Sequence, residues 1–159
     1  MEGTSSGSTF KTKYIGADSN APTVCRRTDL ERQTDGSFIY NFYDLKFAAS
    51  PASIRASMDD LFSGRKNSVE FQRHSTLFGG TDFIDIWTNA GREQIQIAGR
   101  KINAWIFNYE LRGLRSAYHA KRKIWYDPAT GLYVKSTYQH LDGSMGTAGP
   151  WEATSITVP

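Results

Sequence analysis

Hydrophobic and polar positions alternate with a period of two along most of this chain, the pattern of half-buried strands. Thr9–Ile15 sets Phe10 and Tyr14 against Lys11 and Lys13. After Asp35-Gly36, the stretch Ser37–Phe47 carries Ile39, Tyr43, Leu45 and Phe47 on one face and Phe38, Tyr40 and Phe42 on the other. Ser68–Ser75 and Thr81–Thr88 are two further strands joined through Gly79-Gly80, and Thr88-Asn89-Ala90-Gly91 turns the chain into Glu93–Ala98. There Ile95 and Ile97 oppose Gln94 and Gln96. Lys101–Leu111 is the longest strand and is apolar on both sides: Trp105, Phe107 and Tyr109 alternate with Ile102, Ala104 and Ile106. Ala120–Tyr126 and Leu132–Leu141 flank Asp127-Pro128-Ala129-Thr130-Gly131. Pro128 suits the first corner of a type I turn and Gly131 the positive-φ position that closes a bulged hairpin. Asp142–Pro150 is loop, and Trp151–Val158 has the composition to return as an edge strand.

One segment changes period. Ser50 can cap a helix, Pro51 fits its first position, and Ile54, Met58, Leu61 and Phe62 follow at i, i+4, i+7 and i+8. Gly64 supplies the stop. About eight antiparallel strands with one helix predict a mainly β fold: a curled antiparallel sheet, as a half-barrel or a lipocalin-like barrel, with the helix covering or plugging one side. The small polar start, residues 1–8, is expected to be a flexible segment ahead of a single β-rich domain over 9–159.

Composition narrows the class. At 159 residues, with 39% hydrophobic, 13% aromatic and 22% charged positions, the chain can form one core without metal or disulfide staples. It is neither a disordered chain nor a polytopic membrane protein, since no run approaches the ~20 apolar residues of a span. The single cysteine, Cys25, excludes an internal disulfide and multi-cysteine metal sites. No apolar signal core follows Met1; the Gly/Ser/Thr start instead matches the stem of a mature exported domain, with a cytosolic protein as the alternative.

Candidate chemistry is sparse. No Gly-x-Ser-x-Gly elbow occurs, and His74, His119 and His140 lie in no hydrolase-like context. Arg26 and Arg27 beside Cys25 would favour its thiolate, but a small residue at a strand start is the simpler reading. His74, Asp82 and Asp85 could meet on adjacent strands, with His119 or His140 as a further ligand, yet no pair has a recognised ligand spacing. Asp59-Asp60 point to different sides of the helix, Asp59 within reach of Arg55. Gly79-Gly80 lacks the Lys and helix start of a phosphate loop. No catalytic residue, metal or cofactor is assigned.

Charge is more informative. The whole chain is only +3, too little to imply nucleic acid. Between Glu110 and Lys123, however, Arg112, Arg115, Lys121, Arg122 and Lys123 face Glu110 alone, a net +4, so the remainder is close to neutral. Tyr118 and His119 are interleaved. If Leu111–Ala117 is a hairpin connection, this charge sits on one rim of the sheet, suited to phosphate, sulfate or uronate groups; a solvated loop that protects strand edges is the bland alternative. Trp105 and Trp125 would add ring surface, lining a cavity or simply packing the core. The candidate ligand-binding set is therefore Arg112, Arg115, Lys121, Lys123, Trp105, Trp125 and Tyr118.

Two segments also carry a resemblance. Gln94-Ile95-Gln96-Ile97-Ala98-Gly99-Arg100-Lys101-Ile102-Asn103-Ala104-Trp105-Ile106 is followed by Lys123-Ile124-Trp125-Tyr126-Asp127-Pro128-Ala129-Thr130-Gly131-Leu132-Tyr133-Val134-Lys135. Over about a third of its length the chain resembles an uncharacterised family of bacterial exported proteins. In that family a valine–x–alanine–Gly–x–phenylalanine–x–alanine strand leads to a Trp-Tyr-x-Pro-x-x-Gly hairpin. Its members look like distant relatives of the half-barrel lipoprotein carriers of the bacterial envelope. Ile102 replaces the usual aromatic. The resemblance implies an antiparallel half-barrel with an internal helix, a periplasmic or envelope location, and binding rather than catalysis, and it transfers no catalytic residue. The function expected is thus a non-enzymatic envelope domain that binds a lipid, a glycan or another apolar, amphiphilic or anionic envelope component. A protein-interaction module, docking another envelope protein through a sheet edge or the basic loop, is the alternative.

Overall fold

The computed structural model describes residues 1–5, 8–17, 25–29, 34–37, 45–47, 51–75, 81–143 and 149–157. Among them the chain is mainly β. Its twelve strands are β1 (Glu2–Ser5), β2 (Ser8–Ala17), β3 (Cys25–Asp29), β4 (Thr34–Ser37), β5 (Leu45–Phe47), β6 (Ser68–Ser75), β7 (Thr81–Ile97), β8 (Arg100–Gly113), β9 (His119–Asp127), β10 (Leu132–Ser136), β11 (Gln139–Asp142) and β12 (Trp151–Ser155). The helix α1 spans Pro51–Phe62. All strand pairs are antiparallel, in the order β4-β3-β2-β1-β12-β10-β9-β8-β7-β6-β5, with β11 on β9 beyond the end of β10.

Several expectations are refined. The Gly/Ser/Thr start is not a loose stem at Glu2–Ser5 but a strand, held between β2 and β12. β12 is correspondingly interior, bonded to both β1 and β10, rather than an edge. Residues 38–44 of the Ser37–Phe47 ribbon, the Ser50 cap and Gly79-Gly80 lie outside the described residues. The end strands β4 and β5 do not pair with each other, so the sheet is open and the closed lipocalin-like alternative falls away.

The turn expected at Thr88–Gly91 is instead a bulge within β7. The Asn89 side chain accepts the Gly91 N–H at 2.8 Å, and the β7–β8 register slips between Asn89 and Arg92. The local hydrogen bond that Asn offers a turn is satisfied inside the strand. The extra residue also changes which side chains face which way. Phe83 and Trp87 lie toward the helix; without the bulge, period two would send Ile95 and Ile97 to that same side. With it, Ile95 stands opposite Ile102, and both isoleucines join Ile102, Ala104 and Ile106 on the other face.

Two cores result, one on each face of β8. On the helix side, Ile54, Met58 and Leu61 of α1 pack on Val69, Phe71, Trp87, Phe107, Ile124 and Tyr133. Phe62 stacks on Tyr126 at 4.9 Å and meets Phe107 edge-on at 5.0 Å. Each fully buried aliphatic of the helix contributes about 1.5–3 kcal/mol. Gly64, at φ +78°, ends the helix in a conformation open to glycine, and a Cβ there would come within 3.2 Å of Trp105.

On the opposite side Ile97, Ile102, Ala104, Ile106, Trp125, Val134 and Ala153 form the second core. It joins β7 to β12, which are separated by three strands. In a flat sheet they would stand ~19 Å apart, so their contact requires the sheet to curl. The expected hairpin after Asp127 is present. Asp127, 3% exposed, accepts the Ala129 N–H at 3.0 Å and the Thr130 hydroxyl at 2.9 Å, and Gly131 sits at φ +70°.

Candidate functional site

The second core ends abruptly along β8. Ile102, Ala104 and Ile106 are buried, but Asn108 and Arg112, next in the same alternation, are exposed, and Glu110 between them is half-buried. Strand register extends this open face sideways. Ile86 of β7, Glu110 of β8, Lys121 of β9 and Gln139 of β11 stand in one row. Thr88, Asn108, Lys123 and Thr137 form the next: Thr137 donates its N–H to the Lys123 carbonyl at 2.9 Å, and its hydroxyl accepts the Lys123 N–H at 3.3 Å. Both rows line an open groove of about 450 Å³, within the range of small-ligand clefts.

Glu110 organises the cationic end. It accepts from Arg112 Nε and from His119 Nε2 (2.6 Å), with Lys121 Nζ at 3.7 Å. Burial alone would raise its carboxyl pKa. The hydrogen bonds from Arg112 and His119, with the charges of Arg112 and Lys121, outweigh this and hold it below its ordinary value. At the other end Glu93 accepts from the Trp125 indole N–H at 3.1 Å and from Lys123 at 3.4 Å. The indole bond comes first in keeping the Glu93 carboxyl low, against burial, with Lys123 and Lys135 adding to it. Asn108, Thr88 and Gln139 make no side-chain hydrogen bond among the described residues, so their polar atoms face the groove unengaged.

The residues expected to bind are only partly brought together. Arg112, Lys121 and Lys123 share one face, as their i, i+2 spacing and pairing require. Arg115 does not join them: it is exposed on the link between β8 and β9, outside the groove lining. Both tryptophans pack against the cores, Trp125 buried and Trp105 half-buried. Trp125 is 6% exposed, in the second core, with Lys123 and Lys135 nitrogens 4.6 and 5.5 Å from its ring centroid. Trp105 lies on the helix face with the Arg92 guanidinium 4.0 Å from its ring. Tyr118 packs edge-on against Phe83 (5.8 Å) and His140 (5.7 Å). On a strand packed on both faces an aromatic can fill core space on either side, as Trp105 and Trp125 do here. The groove's polar residues become legible once β8 and β9 pair in this register, which sets Asn108 and Glu110 beside Lys123 and Lys121.

His74, Asp82 and Asp85 do not converge. His74 and Asp82 pair across β6 and β7 at 2.8 Å, but Asp85 is an odd number of positions from Asp82, on the buried face, where the Tyr109 hydroxyl donates to it. No three His, Cys, Asp or Glu side chains among the described residues form a metal-holding group. Asp60 pairs with Arg65 (2.7 Å) and Lys66 (3.3 Å). No described helix is long and apolar enough to cross a membrane. Comparison with protein-family models, with curated proteins and with solved structures finds no match.

Proposed function

We propose that this chain is a non-enzymatic binding domain of the bacterial envelope, and that the groove across β7, β8, β9 and β11 holds an anionic envelope component. One observation carries the reading: Lys121 and Lys123 line a 450 Å³ cleft beside Asn108 and Gln139, whose side chains have no hydrogen-bond partner among the described residues. Backbone hydrogen bonds of the sheet already hold the backbone of these residues in place, so binding needs no backbone ordering. The envelope location rests on the resemblance of Gln94–Ile106 and Lys123–Lys135 to an exported family. Binding in preference to catalysis rests on the same resemblance, which transfers no catalytic residue.

The test is calorimetric titration with soluble polyanions at several salt concentrations. The Lys121→Gln, Lys123→Gln double variant should lose ~10-fold or more in affinity and show a shallower salt slope. Parental affinity in that variant, or no binding of any polyanion by the parent, overturns the assignment. A second reading, a protein-docking module, is favoured by one feature. Leu114 and Leu141, 48% and 40% exposed, are the exposed large hydrophobics among the described residues. Leu114 shares its link with Arg115, a side chain with no ion pair among those residues.

A further inference from the structure

Resting on the anion-binding reading of the groove, we infer that its ligand is an acidic oligosaccharide, a chain of sugars bearing carboxylates, rather than a phosphate or polyphosphate. The argument is the balance of hydrogen-bonding types. A fully ionised phosphate or sulfate offers acceptors only, so a site built for it presents donors: Arg, Lys and backbone N–H groups.

This groove does otherwise. Lys121 and Lys123 supply charge, but the Glu110 carboxylate also lines the cleft, 3.7 Å from Lys121 Nζ, and accepts hydrogen bonds only. Its pKa is lowered, so it stays ionised and repels a bare oxyanion. The unengaged amides of Asn108 and Gln139 each present a donor end and an acceptor end, and Thr137 adds a hydroxyl. A ligand that satisfies this set must donate as well as accept. Sugar hydroxyls do both, and carboxylates on alternate positions meet the lysines.

The arrangement also has direction. Lys121 and Lys123 are two residues apart on β9, so their attachment points are separated by about 7 Å along the strand. Asn108 lies to one side of Lys123, and Gln139 to the opposite side of Lys121. An extended ligand crossing obliquely from β8 to β11 passes both cations with an amide at each end. Such a ligand is longer than a single phosphate or a monosaccharide. The groove runs over four strands, ~14 Å between the outer two.

The experiment compares three probes on the full chain by isothermal titration: tetragalacturonic acid, the neutral galactose tetrasaccharide, and a short inorganic polyphosphate of equal charge. The acidic tetrasaccharide should bind tightest and the neutral one should bind at least ~10-fold more weakly. Asn108→Ala and Gln139→Ala should each weaken the acidic tetrasaccharide by ~3- to 10-fold and weaken polyphosphate by less. Both positions are exposed, and native thermal unfolding of each variant checks that the fold is intact. Polyphosphate binding at least as tight as the acidic sugar, with both amide variants silent, overturns the glycan inference but leaves an anion site. Binding of none of the three overturns the anion reading itself.

Discussion

Residues 106 and 107 of β8 test the two-sided architecture directly, because neighbouring side chains on one strand point to opposite cores. Phe107 is fully buried on the helix side, edge-on to Phe62, while Ile106 is 5% exposed on the other side. Phe107→Ala should cost about 3–5 kcal/mol and Ile106→Ala about 2–5 kcal/mol, the loss of transfer energy plus the cavity that remains. At this chain length each kcal/mol lowers the melting temperature by roughly 2–4 °C, so both variants should melt many degrees early. The assay is urea unfolding followed by tryptophan fluorescence, with the slope m compared between variants. A total stability of about 5–15 kcal/mol is usual for a domain, so the alanine variants sit near the limit of folding. Ile106→Val, expected at about 0.5–1.5 kcal/mol, keeps the measurement readable if they fall below it. A one-sided sheet would leave Ile106 facing water, where substitutions stay within about 0.5 kcal/mol. Ile106→Ala costing under about 1 kcal/mol at unchanged m would therefore refute the second core.

Two further outcomes follow from the site and the turns. The folded-state pKa of Glu110 is depressed, so its contribution to stability is complete above the ordinary carboxylate value and is lost as pH falls through the lower, folded value. Glu110→Gln should therefore flatten the acid limb of melting temperature against pH, and superimposable profiles would remove Glu110 from the account. Ala98 occupies φ +51° next to Gly99 at φ +73°, the two-residue turn between β7 and β8. Left-handed backbone strains alanine but suits asparagine, so Ala98→Asn should raise stability by up to about 1 kcal/mol; a destabilised variant, measured by the same urea titration, would contradict the turn geometry.

Local chemistry was legible wherever a few neighbouring residues decide the outcome. The helix from Pro51, its stop at Gly64, the Asp127–Gly131 turn and the period of two through Ser68–Ser75 and Lys101–Leu111 all depend on capping, φ preference and alternation within short windows. The same windows misjudged Asn89-Ala90-Gly91, because a polar triplet that can turn a chain can equally bulge one, and the neighbouring strand makes the choice. Likewise Glu2–Ser5, with no apolar alternation, became a strand because β12 and β2 provide hydrogen-bond ladders on both sides.

The candidate site divides along the same line. The sequence alone determined that cations cluster from Arg112 to Lys123, and that Lys121 and Lys123 share a face. Only the tertiary structure decided that Arg115 stands apart, that Trp105 and Trp125 are consumed by the two cores, and that Asn108 and Gln139 complete the groove. The reason is physical: charge order and strand alternation are properties of near neighbours, whereas a groove is assembled across strands whose register depends on a bulge and on contacts up to dozens of residues away.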